Sequence, residues 1–350
     1  MADSNIYVGV AGYFGRPRDP GAVGVFRRRM DGGEWEHVLA APEVHTVFVH
    51  PEEPDLVFAG TSDGVWRSTD RGGSFRRADF PDSGGEVWSF LAIDDAPDRM
   101  YAGTSPPGVH LSEDRGATWH PLPPPEVRQR IECAITPRVM RMAQRPGRPD
   151  EIYAALEIAG AMRTTDGGET WEDVGEDLVR LSDRPHLRSS IVQKESHAEG
   201  MLDGHAIAIS ASAPDAPIIA LRMGLFRTRD GGESWEDLEV GRFSPTTYAR
   251  DIKASPHDAG TLYTALSVAA DSRDGGVYRS TDAGETWQRF DKVQVNGTIM
   301  SVGLHPTDPD QVCIGARYGG EVFATADGGE TWRSCPLPGP VKDIYAVACG

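Results

Sequence analysis

The sequence lacks any apolar run near the roughly 18 residues that a membrane-spanning helix requires. Its first ten residues, MADSNIYVGV, have neither the basic segment nor the long apolar segment of a secretion signal. Arg and Ala are abundant while Lys is scarce, a composition typical of a high-GC bacterial genome. We therefore expect a cytoplasmic bacterial protein that does not associate with membranes.

Positive charge is in deficit. The chain has 35 Lys and Arg against 53 Asp and Glu, which gives a net charge of -18. Non-specific binding to nucleic acids or to anionic membranes needs a basic surface, so this balance argues against both.

Cysteine is rare and lacks the spacing of a metal or redox motif. The four residues show no C-x-x-C pair, which argues against a zinc knuckle or a thioredoxin-like site. Free thiols in a reducing compartment are the simpler interpretation of Cys133, Cys313, Cys335 and Cys349.

What the sequence does contain is one short segment many times over. TTDGGETW (164–171) recurs as STDRGGSF (68–75), SEDRGATW (112–119), TRDGGESW (228–235), STDAGETW (280–287) and TADGGETW (325–332). A seventh copy, RMDGGEW (29–35), is one residue short. The repeated acidic residues are Asp31, Asp70, Asp114, Asp166, Asp230, Asp282 and Asp327.

Each copy follows two strand-like runs and a short third strand, and a short fourth strand follows it. The repeated Asp residues are 39 (Asp31 to Asp70) to 64 (Asp166 to Asp230) positions apart. Seven four-stranded units at this period predict an all-β fold, a single seven-bladed β-propeller of antiparallel blades over residues 1–350. The N-terminal strands and the C-terminal strand are expected to pair in one blade, which closes the ring.

The S/T-x-D-x-G-x-T/S-W signature resembles the Asp-box (BNR) repeat. That repeat occurs in sialidases, sortilin-type receptors, xyloglucan-active glycosidases and photosystem II assembly factors. The resemblance implies a propeller and leaves the function open, because these families do unrelated things. The chain lacks the Phe/Tyr-Arg-Ile-Pro tetrapeptide of sialidases, so it is not a typical sialidase, and it has one propeller where xyloglucan-active relatives have two.

The repeated Asp is interpreted as structural. An Asp in a turn accepts bonds from nearby backbone N–H groups, and the following Gly permits the tight backbone path. Seven copies on seven blades lie too far apart to form one catalytic site.

The first strand of each blade is expected to line the central channel. Aligned on a buried apolar position (Val47, Phe90, Met142, Ile207, Ile252, Val302, Ile344), these strands carry more polar residues two positions earlier. That earlier position holds His45, Trp88, Met140, His205, Arg250, Met300 and Lys342, with Arg141 an alternative to Met140. The polar ends predict a ligand site where the strands enter the channel.

Cations are concentrated at this predicted site. Arg138, Arg222, Arg250, Arg317 and Lys342 would form an anion site in an acidic protein. Alternatively, these cations pair with carboxylates between the blades; the candidates are Glu43, Glu86, Asp203, Asp251 and Asp343.

The longest insertion between blades, residues 175–204, contains several potential metal ligands. We consider three roles for it, which are a lid over the channel, a plain surface loop and a divalent metal site. The metal candidates are His197, Glu199 and His205, although their spacing matches no known metal motif.

Two functions stay open. In the first, the protein is a glycosidase-like hydrolase or a lyase that acts on a small anionic or sugar-like substrate. Its catalytic candidates are His45, His205 and Asp203, and its substrate-binding candidates are Trp88, Arg138, Arg222, Tyr248, Arg250, Arg317 and Lys342. In the second, it is a non-catalytic propeller that binds a small anionic ligand or a protein partner, or that serves as an assembly scaffold.

Overall fold

A computed structural model describes residues 4–11, 22–40, 43–81, 85–132, 134–189, 196–317, 319–339 and 343–350. Its strands through residue 173 are β1 (Asn5–Val10), β2 (Gly24–Arg29), β3 (Glu36–Leu39), β4 (Val44–Val49), β5 (Val57–Thr61), β6 (Gly64–Ser68), β7 (Arg76–Arg77), β8 (Glu86–Ile93), β9 (Ala96–Ser105), β10 (Val109–Ser112), β11 (His120–Pro121), β12 (Arg138–Arg145), β13 (Arg148–Glu157), β14 (Gly160–Thr164) and β15 (Glu172–Asp173). The later strands are β16 (Gly204–Ala208), β17 (Ile218–Leu221), β18 (Gly224–Arg227), β19 (Glu236–Asp237), β20 (Tyr248–Ala254), β21 (Leu262–Ser267), β22 (Gly275–Ser280), β23 (Gln288–Arg289), β24 (Ile299–Leu304), β25 (Gln311–Ala316), β26 (Glu321–Ala326), β27 (Arg333–Ser334) and β28 (Ile344–Cys349).

These strands form seven antiparallel four-stranded sheets, so the predicted seven-bladed β-propeller is confirmed. Blades 1 to 6 are consecutive in the chain and comprise β4–β7, β8–β11, β12–β15, β16–β19, β20–β23 and β24–β27. Blade 7 has the order β28-β1-β2-β3, with β28 antiparallel to β1. Apolar side chains from facing sheets fill the spaces between the blades.

The repeated Asp residues lie in the turns before the fourth strands. Asp166 shows the pattern: its Oδ1 accepts the Thr164 hydroxyl at 2.7 Å and the Thr170 N–H at 2.9 Å. Its Oδ2 accepts the Thr170 hydroxyl at 2.5 Å. The same bonds form at Asp70, Asp114, Asp230, Asp282 and Asp327, whereas Asp31 bonds the side chain of Arg29. Each of these carboxylates is thus engaged within its own turn.

The repeated turns lie on one face of the propeller, which we call the turn face. The N–H of Arg71, beside Asp70, donates to the carbonyl oxygen of Asp55 in the turn that joins the first two strands of blade 1. Gly167 and Asp150 make the equivalent bond in blade 3. First strands therefore end at the turn face and begin at the opposite face, which we call the mouth face.

The insertion at 175–204 contains helix α1 (Glu176–Leu181), a 3-10 turn (Pro185–Leu187) and helix α2 (Glu199–Leu202). Leu178, Leu181 and Met201 are buried in the apolar core between blades 3 and 4. His186 Nε2 lies 2.9 Å from the carboxylate of Asp237 on the outermost strand of blade 4. The described parts of the insertion therefore pack against the blades.

Within the described ranges, no helix combines the length and the apolar character needed to cross a membrane.

Candidate functional site

Every first strand has a β-bulge at the same place. One residue of the first strand is left without a partner in the register with the second strand, as at His45, which lies between the pairs Val44–Thr61 and Thr46–Gly60. Such a bulge redirects the side chain of the extra residue. The seven equivalent residues are His45, Trp88, Met140, His205, Arg250, Met300 and Tyr345, which we call the bulge ring.

Six members of the bulge ring are those that the sequence alignment placed together, and the seventh differs. In blade 7 the position belongs to Tyr345, whereas the alignment assigned it to Lys342. The register was wrong because the segment IYAVA is apolar without interruption, so it has no period-2 pattern to align. Lys342 itself lies outside the described residues.

The bulge ring packs across the channel. The imidazole of His45 stacks on the indole of Trp88, with ring centres 3.8 Å apart and planes 7° apart. Tyr345 contacts both rings edge-on, and Trp88, Met140, Met300 and Tyr345 belong to one buried apolar cluster. The Trp88–Tyr345 contact joins blades 2 and 7, which are not neighbours, and the cluster also includes Met140 of blade 3 and Met300 of blade 6, so it extends across the channel.

Trp88 is enclosed on both faces of its ring. The guanidinium of Arg138 lies 4.1 Å from the ring centre, and since His45 occupies one face, Arg138 must occupy the other. The indole N–H of Trp88 donates a hydrogen bond to the carboxylate of Glu86 at 3.0 Å. The predicted role of Trp88 as a stacking wall for substrate does not fit this arrangement, because neither face of the indole is open.

Three of the predicted cations, Arg138, Arg222 and Arg317, are paired with carboxylates. Arg138 Nη1 donates to Glu157 at 2.7 Å, a partner on the second strand of the same blade. Arg222 Nη2 lies 2.6 Å from Asp203, and its Nη1 lies 3.7 Å from Glu199. Arg222 therefore pairs with a predicted carboxylate, Asp203, whereas Arg138 pairs with Glu157, which was not among the predicted partners and lies in the same blade.

Arg317 completes the set of paired cations. Its Nε donates to Asp343 Oδ1 at 2.8 Å, and its Nη2 donates to the hydroxyl of Tyr345 at 3.0 Å. Burial raises the pKa of Tyr345 to about 12, so the phenol stays protonated at neutral pH.

Arg250 is different. It is 8% exposed, and no hydrogen bond or ion pair joins its guanidinium to any residue in the described part of the chain. Burial lowers the pKa of Arg250, but interactions with Tyr248, Glu157, Tyr345 and Asp203 outweigh that effect and raise it. A buried guanidinium in this position lacks a direct anionic partner.

His205 sits beside Arg250 in the bulge ring, in a cluster of polar side chains. Its Nδ1 is 2.7 Å from the carbonyl oxygen of Ala249 and therefore carries a proton. Its Nε2 is 3.3 Å from Asp203 Oδ2 and 3.4 Å from the Tyr248 hydroxyl. The pKa of Asp203 is lowered by His205 and Arg222 despite its burial, so that carboxylate is ionised, and burial raises the pKa of Tyr248.

His45 has no hydrogen-bond partner for either ring nitrogen among the described residues, although both nitrogens are buried. The carboxylate of Glu43 lies 3.7 Å from Nε2. Both ring nitrogens of His45 therefore have unused hydrogen-bonding capacity inside the channel.

The three metal candidates are not brought together. His197 is exposed, while Glu199 and His205 are buried on either side of Asp203. Across the described residues, no group of three or more His, Cys, Asp or Glu side chains has the geometry of a metal site.

Two members of the site were missed by the sequence analysis. Glu157 was missed because it ends a second strand, whereas the sequence analysis considered as ion-pair partners only carboxylates in or beside the first strands. Tyr345 was hidden by the incorrect register. An alignment of the first strands on their common bulge, instead of on alternating apolar residues, places Tyr345 in the ring.

Comparison with known proteins places the chain among several kinds of propeller. A family model described as sortilin, neurotensin receptor 3 (Sortilin-Vps10) matches residues 275–347. An oligoxyloglucan-reducing end-specific xyloglucanase from Emericella nidulans is 25% identical over 340 residues, covering 82% of this chain and 39% of the relative. The chain thus spans well under half the length of that relative.

Solved structures agree on the fold. The GH74 xyloglucanase from Xanthomonas campestris superposes with a TM-score of 0.61 at 16% identity, over 83% of this chain and 45% of the other. YCF48 from Cyanidioschyzon merolae superposes with a TM-score of 0.53 at 16% identity, over 86% of each chain. At these identities the likeness extends to the propeller fold and to nothing finer.

Proposed function

We propose that the protein binds a small, sugar-like substrate with a carboxylate group at the mouth face and acts on it as a hydrolase or lyase. The observation that carries this proposal is Arg250, a buried guanidinium with no direct partner in the described structure. Arginine matches a carboxylate with two parallel hydrogen bonds, so a substrate carboxylate would supply the missing partner.

The neighbours of Arg250 supply proton-transfer groups. His205, with Nδ1 held by Ala249, presents Nε2 to Asp203 and Tyr248. Asp203 keeps the imidazole oriented, and the Tyr248 hydroxyl is a hydrogen-bond donor beside it. A histidine and a tyrosine beside a bound carboxylate suit acid–base chemistry at the adjacent carbon or at a leaving oxygen.

His45 provides a second titratable group across the channel, since its ring nitrogens have no partner in the described structure. Arg138, Arg222 and Arg317 hold the carboxylates of the site in fixed positions. Trp88 lies between His45 and Arg138 and holds both side chains in place. These residues are positioning residues in this proposal, whereas Arg250, His205 and His45 would touch the substrate.

The sugar-like character of the substrate draws on the comparisons, in which the curated relative is a xyloglucanase. Its acidic character draws on Arg250 alone, because an uncharged glycan would leave that guanidinium unpaired. A glycosidase with two catalytic carboxylates fits less well, since Asp203 and Glu157 are both held by arginines.

Oligosaccharides with and without uronic acid test the proposal. We expect the acidic oligosaccharides to bind, and to yield either new reducing ends (hydrolase) or an unsaturated, ultraviolet-absorbing product (lyase). Arg250→Met should abolish binding, while Arg128→Met, on the surface, should leave it unchanged. Tight binding without any product would favour the non-catalytic alternative, and equal binding of neutral and acidic glycans would contradict the role of Arg250.

A further inference from the structure

The channel contains a cavity on the side of the bulge ring that faces away from the mouth face. It has a volume of about 350 Å³ and is lined by residues that follow the bulges, toward the ends of the first strands. Asp94, Pro146 and Ser255, where first strands give way to turns, form its rim. The cavity therefore opens at the turn face, and we call it the turn-face cavity.

Apolar residues form most of its wall. Val47, Phe90, Met142, Ile207 and Ile252 all line it. Its volume lies at the lower end of the range of small-molecule sites, about 300–1,000 Å³. The wall would accommodate an apolar group of a small molecule.

A cation lies among the polar residues of the cavity. Arg141 Nη1 donates to the carbonyl oxygens of Trp88 at 3.0 Å and Met140 at 2.6 Å. No acceptor in the described part of the chain bonds its Nε or Nη2. An arginine stays charged even when buried, so this guanidinium has donors left for an anion.

An anion lines the same cavity. Asp251 is 1% exposed, and its Oδ2 accepts the N–H of Val302 at 2.8 Å. Its Oδ1 is buried and has no donor among the described residues. A buried carboxylate oxygen without a donor is unfavourable, so a ligand that donates to Oδ1 would relieve that cost.

The two charges are near each other without forming an ion pair. Burial lowers the pKa of Arg141, and Asp251 lies close enough to oppose that effect, yet no ion pair of 4.0 Å or less joins them. The space between them is suited to a molecule with both charges, whose carboxylate meets Arg141 and whose ammonium meets Asp251. From this geometry we infer that the turn-face cavity binds a zwitterionic amino acid with an apolar side chain, such as phenylalanine or leucine.

This site is separate from the one proposed at the mouth face, because the packed bulge ring lies between the two, although Arg250 of that ring is near enough to lower the pKa of Arg141. Titration calorimetry with L-phenylalanine tests it, with phenylacetate and phenethylamine as probes that each lack one charge. We expect L-phenylalanine to bind at least tenfold more tightly than either. Comparable affinity for all three would overturn the inference, as would the absence of binding at millimolar concentration.

Two variants locate the binding. Asp251→Asn keeps the shape and an acceptor for Val302 but removes the charge, and should weaken L-phenylalanine binding at least tenfold. Ala211→Trp, at an exposed rim position, should block entry without disturbing the core. Asp183→Asn is the surface control, and Arg222→Met is the control for the mouth face. Undiminished binding in Ala211→Trp, or loss of binding in an Arg222→Met protein whose melting temperature matches that of the wild type, would overturn the location.

Discussion

Arg141 of blade 3 donates a hydrogen bond to the carbonyl oxygen of Trp88 in blade 2, at 3.0 Å. The same nitrogen bonds the carbonyl oxygen of Met140. One side chain therefore holds the backbone of two adjacent members of the bulge ring. A bulge leaves ladder groups without their usual partner, and Arg141 supplies a donor for two of these carbonyls.

We expect Arg141→Met to destabilise the protein by about 1–3 kcal/mol, because two carbonyls inside the channel lose their donor. Denaturant unfolding followed by far-ultraviolet circular dichroism would measure the change. Arg128→Met serves as the exposed control, since the one ion pair of Arg128 within the described residues is a long contact with Glu176, at 3.6 Å. Equal stability of the two variants would show that water replaces Arg141 without cost.

Trp88 should be among the most important residues for stability in the ring. It is fully buried and contacts His45, Arg138 and Tyr345. We expect Trp88→Ala to cost about 3–5 kcal/mol, the range for removing a large aromatic side chain from a core. Trp88→Phe retains the stacking surface and should cost less. A loss below about 1 kcal/mol in the alanine variant would indicate that the channel is loosely packed around the indole.

Gly204 is required by the close approach of blades 3 and 4. A Cβ at this position would lie 2.7 Å from the carbonyl oxygen of Gly160 and 2.8 Å from that of Leu156. Backbone atoms cannot move away as a flexible side chain can, so Gly204→Ala should cost about 1–3 kcal/mol. It should also weaken ligand binding at the mouth face, because Gly204 lies between Asp203 and His205.

Gly241 provides the matched control for that substitution. A Cβ there would meet nothing within 4 Å, and its backbone conformation suits any residue. Thermal melting of Gly204→Ala and Gly241→Ala in parallel would separate crowding from the general effect of a glycine replacement. Equal melting temperatures would contradict the close approach of the two blades at Gly204.

The repeated turns should confer a dependence of stability on pH. The hydroxyl and N–H of Thr170 hold the pKa of Asp166 at about 2, below the value of about 3.9 expected in an unfolded chain. A lowered pKa in the folded state means that the stabilisation is complete above about pH 4 and is lost as the pH falls toward 2.

Asp166→Ala isolates this contribution. At neutral pH we expect a loss of about 1 kcal/mol, similar to the removal of a capping side chain from a helix. The difference in unfolding free energy between the wild type and this variant should shrink as the pH is lowered through that window. A difference that stays constant from pH 7 to pH 3 would mean that ionisation of Asp166 contributes nothing.

The candidate site was partly predictable. The alternation along the first strands placed six of seven residues of the bulge ring, because apolar and polar residues alternate there. It failed at Tyr345, where every neighbour is apolar. It also identified Arg250 among five cations without indicating that Arg250 differs from Arg138, Arg222 and Arg317. Pairing depends on distances between strands of different blades, and a single sequence contains no measure of those distances.

The sequence by itself determined the fold, since seven copies of an acidic turn at a regular period specify seven similar sheets, and each turn forms its bonds locally. Tertiary structure decided which side chains meet in the channel. Seven bulges turn residues distant in sequence toward one axis, where burial leaves Arg250, His45 and Asp251 with unsatisfied groups in the described structure. Local bonding is encoded within a few residues, whereas desolvation depends on everything that surrounds a group.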